Sequence, residues 1–141
     1  MTRIMETVDV SVKPRRVCDF MWDLSNLPTY MPVSDVEVIK SDSRRAEVRC
    51  TLTIEGEPSR IVSEEEIVEP GRRIRFRTRE GLHMDATWLL QETQSGTKVT
   101  YVLDYESPSG PLAFLRRGKI QKAMQRICTE CLQRLRASVE A

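Results

Sequence analysis

The longest run of helical periodicity lies at the C-terminal end of the chain, in residues 111–141. At about 100° per residue its apolar positions fall on one stripe, formed by Ile120, Met124, Ile127, Cys128, Cys131, Leu132, Leu135 and Val139. Ser109, Gly110 and Pro111 supply a cap and a proline suited to the first turn, and Gly118 is expected to bend or interrupt the helix. The pattern predicts a long amphipathic helix that must lie on an apolar surface.

The first third of the chain has two shorter patterns. Residues 7–12 alternate valines with polar side chains, which is typical of a strand with one buried face. Pro14 then opens a short helix through Leu24, because proline is tolerated at the first helical position. Residues 26–32 contain two prolines and are predicted to form at most another short turn.

Residues 36–105 carry six strand-like segments separated by short turns. We take Glu55-Gly56, Pro70-Gly71 and Ser95-Gly96 as two-residue connections and residues 80–82 as a three-residue loop with a glycine bulge. The predicted pairs are then Cys50–Ile61, Ala46–Glu65, Glu65–Phe76, Val68–Arg73, Arg77–Asp85, Leu90–Tyr101, Trp88–Leu103 and Ala86–Tyr105. One face of this sheet is aliphatic and aromatic, and the other face is a lattice of charges.

Glu65 falls on the apolar face of the predicted sheet. A buried carboxylate is costly unless it is paired, so its pKa would tend upward and it could donate or accept a proton. The alternative is a position near the rim, bonded to Ser63, to Thr78 or to water. A bulge at Pro70-Gly71 would shift the register by one residue and reverse the assignment.

Composition describes one ordinary globular domain, residues 1–141, with 40% hydrophobic and 30% charged residues. No apolar stretch approaches a membrane span, and the N-terminus lacks the apolar core of a signal peptide, so a cytoplasmic location is expected. The four cysteines are predicted to be reduced thiols. The common nucleotide-binding and hydrolase motifs do not occur, and the single histidine, His83, is expected to be exposed, so we expect no cofactor and no metal site.

The order of elements and several short motifs together resemble the START-like superfamily, which is also called helix-grip, Bet v 1-like or SRPBCC, and most of all its polyketide cyclase and coenzyme-Q-binding branch. The resemblance covers nearly the whole chain and rests on Val10-Ser11-Val12-Lys13-Pro14, Leu27-Pro28-Thr29-Tyr30-Met31-Pro32, Glu69-Pro70-Gly71, Thr87-Trp88 and residues 96–101. It implies an α+β helix-grip fold. In this fold a curved seven-stranded antiparallel sheet, with two short N-terminal helices, grips the long C-terminal helix over a cavity.

The resemblance also implies a function, because relatives bind sterols, polyketides, quinones or other lipid-like molecules in that cavity. In this layout the inner strand faces and the helix stripe would line it. We expect the ligand-binding residues to be Glu65, Phe76, Trp88, Tyr101, Tyr105, Met124 and Cys128, although each could instead fill a solid core. Cys128 and Cys131 form a Cys-x-x-Cys, which is interpreted as structural rather than as a redox or zinc motif.

The sequence is compatible with three functions. The first is a carrier or chaperone for a hydrophobic small molecule, and the second is a polyketide cyclase or dehydratase in which Glu65 or a tyrosine moves protons. The third is an interaction module that contacts RNA, the ribosome or an anionic membrane through Arg116, Arg117, Lys119, Lys122 and Arg126 of the basic helix. Leu89 and Val102, predicted to pair on the outer face, suggest a small homodimer contact.

Overall fold

The computed structural model describes residues 1–106 and 117–141. Its elements are β1 (Thr2–Val10), α1 (Pro14–Trp22), a 3-10 turn (Leu24–Asn26), α2 (Leu27–Tyr30), β2 (Val33–Ser41), β3 (Arg45–Ile54), β4 (Glu57–Glu69), β5 (Arg73–Glu80), β6 (Met84–Thr93), β7 (Gly96–Tyr105) and α3 (Arg117–Val139). This confirms the predicted α+β helix-grip fold, with a curved antiparallel sheet, two short helices after its first strand and a long final helix.

The seven strands form one sheet in the order β1-β7-β6-β5-β4-β3-β2, so β1 and β2 are its edges. Each of β2 to β7 pairs with its neighbour in sequence, whereas β1 pairs with the last strand, β7. A Cβ atom at Gly96 would collide with the backbone of Val10 and Ser11. The close approach of β1 to the start of β7 therefore requires glycine at this position.

Most of the predicted register is confirmed, including Cys50–Ile61, Ala46–Glu65, Glu65–Phe76 and Arg77–Asp85. The predicted Val68–Arg73 pair is wrong, because the β4–β5 connection has three residues, 70–72, and the register shifts at Val68 so that Glu69 lies opposite Arg73. This irregularity lies beyond Glu65 on the turn side. Glu65 consequently keeps its predicted face.

The predicted pairs between β6 and β7 are also wrong, by two residues. The connection is formed by residues 94 and 95, and Gly96 already belongs to β7, opposite Thr93. Trp88 therefore lies opposite Tyr101 instead of Leu103, with the other predicted pairs shifted likewise: Leu90–Val99, Ala86–Leu103 and Met84–Tyr105. Because side chains alternate with a period of two, every residue nevertheless remains on its predicted face.

The outer face of the sheet carries ion pairs that join different strands. Arg75 holds Asp85 through two hydrogen bonds, of 3.1 and 2.7 Å, and Arg79 contacts Glu47 at 3.0 Å. Arg77 lies 3.4 Å from Glu64. Exposed pairs of this kind stabilise a protein by less than about 1 kcal/mol each, so the lattice mainly keeps this face polar.

Helix α1 begins at Pro14 and buries Val17, Cys18 and Met21 against the sheet. It ends at Trp22, two residues before the predicted end, because the Asp23 carboxylate accepts the N–H of Ser25 and caps a separate 3-10 turn. The proline-bounded segment after it forms the four-residue α2. The first strand is longer at its start than predicted, from Thr2, and ends at Val10.

Helix α3 buries the predicted stripe, with Ile127 half-buried and the other members buried. It packs chiefly against β1 and α2. Glu140 accepts the backbone N–H of Ser11 at 2.7 Å, and Arg126 pairs with Glu55 in the β3–β4 turn at 2.7 Å. The predicted cap at residues 109–111 lies outside the described residues, and none of the described helices is long and apolar enough to cross a membrane.

Candidate ligand-binding site

A small cavity lies where α1 and α2 meet the inner face of the sheet. Its volume is about 20 Å³, roughly the space of one water molecule. The lining is mostly apolar and aromatic and consists of Met21, Leu27, Tyr30, Met31, Glu65, Ile74, Phe76, Trp88 and Tyr101. Four strands of the sheet and both short helices therefore converge on this point.

An aromatic stack forms one wall of the cavity. The Trp88 and Tyr101 rings, which are cross-strand neighbours, lie with centroids 4.0 Å apart and planes 23° from parallel. Tyr30 of α2 meets Trp88 edge to face at 5.9 Å, and Phe20 of α1 follows at 6.1 Å. Such contacts stabilise by about 0.5–1.5 kcal/mol beyond the area they bury, so this stack fixes α2 on the sheet.

Glu65 projects into the same cavity from the middle of β4. Its strand neighbours are Ala46, which is small enough to leave room beside the carboxyl group, and Phe76. Only 7% of Glu65 is exposed, and burial raises the pKa of its carboxyl group to about 7. At neutral pH this group can therefore both donate and accept a proton.

Among the described residues, Glu65 has no hydrogen bond or ion pair with another side chain. The expected partner Thr78 is occupied by the backbone of Met84, with Met84 N–H donating to the hydroxyl at 2.8 Å. The second expected partner, Ser63, is fully buried, and its hydroxyl also lacks a partner within the described chain. The rim position bonded to either residue is therefore not observed.

Tyr30 and Tyr101 also line the cavity, and each carries a hydroxyl group although both residues are buried. Neither hydroxyl makes a hydrogen bond to the described part of the chain. Burial raises the pKa of both well above the ordinary value, and the nearby Glu65 charge raises that of Tyr30 further. Both hydroxyls consequently remain protonated donors at physiological pH.

The structure brings together four of the seven predicted ligand-binding residues, Glu65, Phe76, Trp88 and Tyr101, at this cavity. The other three are buried elsewhere: Tyr105 opposite Met84 and Thr2, and Met124 and Cys128 on the inner side of α3. Whether any of the seven contacts a ligand stays a prediction. Tyr30 was missed by the sequence reasoning, although an aromatic residue between Pro28 and Pro32 was a signal for a fixed contact.

The thiols and the histidine offer no further reactive centre. Cys18, Cys50, Cys128 and Cys131 are free and buried. Burial raises the pKa of Cys50 to about 11 and those of Cys128 and Cys131 to about 12, which leaves them protonated and poorly nucleophilic. His83 is exposed, as expected. Within residues 1–106 and 117–141 no group of three His, Cys, Asp or Glu could hold a metal ion.

The two predicted interaction surfaces stay predictions. On the basic helix, Lys119 and Lys122 are exposed and Arg126 is paired with Glu55, while Arg116 lies outside the described residues. Leu89 and Val102 do not pair as expected, because the two-residue register shift sets Leu89 opposite Thr100 and Val102 opposite Thr87. Both remain half-buried on the outer face.

The sequence matches, over residues 1–140, the family described as polyketide cyclase / dehydrase and lipid transport. The chain belongs to this family. It is therefore a hydrophobic ligand-binding domain, and the START-like resemblance inferred from its motifs is confirmed. No curated protein sequence matches the chain significantly.

Several solved structures share the fold. TTHA0849 from Thermus thermophilus is 27% identical, with a TM-score of 0.85 over 98% of this chain and 97% of that one. The Zhui aromatase/cyclase from a Streptomyces species has the same TM-score at 19% identity, over 99% of this chain and 93% of its own. A START superfamily protein from Mycobacterium smegmatis is 13% identical, with a TM-score of 0.82 over 98% and 97% of the two chains.

Proposed function

We propose that this protein binds a hydrophobic small molecule carrying an acceptor oxygen, such as a lipid, quinone or polyketide-like compound, and carries or sequesters it. One observation carries the proposal: Glu65, Tyr30 and Tyr101 all face one aromatic cavity and have no hydrogen-bond partner among the described residues. A small number of polar groups converging in a mostly apolar wall is typical of a ligand site.

The size of the cavity sets a condition on binding. A space of about 20 Å³ takes a single ligand atom or a water molecule, whereas small-molecule sites typically measure about 300–1,000 Å³. Binding therefore requires α1 and α2, or the side chains of the aromatic stack, to move away from the sheet. The polar atom of the ligand then occupies the place beside Glu65, and its apolar body lies where these residues packed.

The first test is native mass spectrometry of freshly purified protein, followed by organic extraction. We expect an apolar compound that bears a carbonyl or hydroxyl group, at one equivalent per chain. Direct titration with 2-acetylnaphthalene and 2-ethylnaphthalene, which share a shape and differ in the carbonyl oxygen, then tests the polar groups. A Trp22→Phe background leaves Trp88 as the sole tryptophan reporter of the cavity.

We expect the ketone to bind about tenfold more tightly than the hydrocarbon below pH 7, because neutral Glu65 donates a hydrogen bond to it. This preference should decrease as the pH rises through about 7 and Glu65 ionises. Glu65→Gln retains a donor and should keep the full preference at every pH. In Glu65→Leu only Tyr30 and Tyr101 remain as donors at the cavity, so the preference should be smaller and should not change with pH around 7. Equal affinity for both compounds would exclude the polar role, and no binding of either would exclude the cavity as a ligand site.

An enzyme of the cyclase or dehydratase class is the second candidate. It is favoured by the position of Glu65 at a mostly apolar cavity with a pKa of about 7, which suits a group that alternates between general base and general acid. The carboxylate would take a proton from a methylene between two carbonyl groups, and the acid would protonate a leaving hydroxyl. Turnover of a poly-ketone that is abolished in Glu65→Gln, with ketone binding unchanged, would establish this role.

A further inference from the structure

A second and larger concavity lies beside the cavity, as an open groove of about 780 Å³ between the start of α1 and the β4–β5 turn. Four basic residues line it. They are Lys13, which directly precedes α1, Arg15 in α1, Arg44 in the β2–β3 turn and Arg72 in the β4–β5 turn. Only two acidic residues, Asp19 and Glu92, share the lining. The groove therefore carries an excess of positive charge.

The four basic side chains differ from those of the outer sheet face in one respect. The outer-face arginines 75, 77 and 79 are neutralised by carboxylates, whereas none of the four groove cations forms an ion pair with a described residue. Uncompensated cations on several separate elements that converge on one concavity create a favourable potential for an anion.

Arg44 is held in a fixed position within this group. Its guanidinium donates to the backbone carbonyl oxygens of Ile67, at 3.1 and 3.3 Å, and of Val68, at 2.9 Å. These bonds orient the side chain but leave its charge uncompensated. The nearest acid in the same turn, Asp42, is engaged by the backbone N–H groups of Arg44 and Arg45.

The groove and the cavity are neighbours along one apolar seam between α1 and the sheet. On α1, Cys18 lines the groove and Met21, one turn later, lines the cavity. On β6, Leu90 lines the groove and Trp88, the next residue on the same face, lines the cavity. A ligand in the cavity would thus need to extend only about 5 Å, one helical turn, to reach the basic groove.

We propose that the groove takes the anionic end, a carboxylate or a phosphate, of an amphiphilic ligand whose apolar part lies in the cavity. This inference rests on the proposed function and narrows it to one class of ligand. The apolar seam suits the hydrocarbon, and the unpaired cations around Arg44 suit the anion. Because the groove is open to water, dissolved salt screens the attraction between its cations and the anionic end of the ligand. The charge should therefore favour anionic over neutral ligands mainly at low salt.

The experiment compares dodecanoate, dodecyl phosphate and dodecanol, which share a chain and differ in charge, by Trp88 fluorescence in the Trp22→Phe protein. We expect both anions to bind about tenfold more tightly than the alcohol at low salt, about 20 mM, and the difference to shrink at about 500 mM. A stronger preference for one anion identifies the head group. Inorganic phosphate, added alone, should compete only weakly because it has no apolar part.

Arg15→Gln with Arg72→Gln should remove the preference for anions and leave the affinity for dodecanol unchanged. These two residues are chosen because Arg44 also supports the backbone, and Arg44→Lys serves as a separate variant that keeps its charge. The matched control is Lys119→Gln with Lys122→Gln, which makes the same change in net charge on α3, away from the groove. This control should bind like the parent protein.

Each result bears on one of the two proposals. If anions and alcohol bind equally, the groove proposal is wrong and the proposed function stands. If none of the three binds but 2-acetylnaphthalene does, the groove proposal is wrong and the proposed function stands; if 2-acetylnaphthalene also fails to bind, the proposed function itself fails. Loss of the preference in the α3 control, full competition by inorganic phosphate, or binding to phosphatidylglycerol vesicles in place of the free amphiphiles would each overturn the assignment of the groove to an amphiphile.

Discussion

Replacing Trp88 with alanine is expected to lower the free energy of unfolding by about 3–5 kcal/mol. Only 4% of Trp88 is exposed, and its ring is stacked on Tyr101 and contacts Tyr30 edge to face. Removing the indole deletes both contacts and leaves a void between the sheet and α2. Because cross-strand neighbours are fixed by the sheet, the walls of the void can collapse only partly, which keeps the loss at the upper part of the usual range for a core residue.

Urea denaturation followed by circular dichroism measures this loss. Thr87→Ala is the matched control, since Thr87 is the preceding residue on β6 and is half-buried on the opposite face. We expect it to cost less than about 1 kcal/mol. Free indole should partly restore the stability of Trp88→Ala by occupying the void, and should not affect Thr87→Ala. A loss below about 1 kcal/mol for Trp88→Ala would show that the stack does not hold α2 in place.

The second large effect is a decrease in stability with rising pH that is due to Glu65. Burial raises the pKa of this carboxyl group from 4.5 to about 7 in the folded protein, so the unfolded chain releases the proton first. The stability from the neutral group is fully present below about pH 4.5 and is lost as the pH rises through about 7. Each pKa unit corresponds to about 1.4 kcal/mol, which gives a total loss of about 3 kcal/mol.

The groups around Glu65 do not oppose this effect. Tyr30 of α2, Cys50 of β3 and Tyr101 of β7 all have raised pKa values and stay neutral in this pH range. Glu65→Gln should therefore flatten the stability curve between about pH 5 and pH 8 and exceed the parent protein in stability at the alkaline end. Glu66→Gln, on the outer face of the same strand, controls for the lost negative charge. A parent curve as flat as that of Glu65→Gln would contradict the buried position.

The sequence was sufficient for the fold and for the faces of the sheet, because both depend on periodicity. Glu65 could be placed inside from alternation along β4 and from the Glu55-Gly56 turn, which has two residues as predicted. The β6–β7 register could not be predicted correctly, since a glycine near a turn can lie either in the loop or in the strand. In the structure Gly96 is the first residue of β7, as the contact with Val10 requires.

The position of the cavity could not be predicted from the pattern of apolar and polar residues. Periodicity assigns a residue to the interior, but it does not distinguish a residue at a void from one in solid packing. Phe76 and Trp88 line the cavity, whereas Met124 and Cys128 are equally apolar and buried yet lie elsewhere. Tyr30 was not predicted to be a site residue because its contact with Trp88 depends on how α2 packs on the sheet, which is a tertiary property.

The pairing of β1 with β7 also determines the order in which the molecule can assemble. Hairpins from β2 to β7 connect neighbouring segments, so each closes a short loop, whereas β1 must await the synthesis and folding of on the order of a hundred residues. We expect β1, and with it the anchoring of α3 through Glu140 and Ser11, to join after the rate-limiting step of folding. Substitutions at the contacts of β1 with β7 and α3 should then accelerate unfolding far more than they slow folding. These contacts would therefore determine the kinetic stability of the protein.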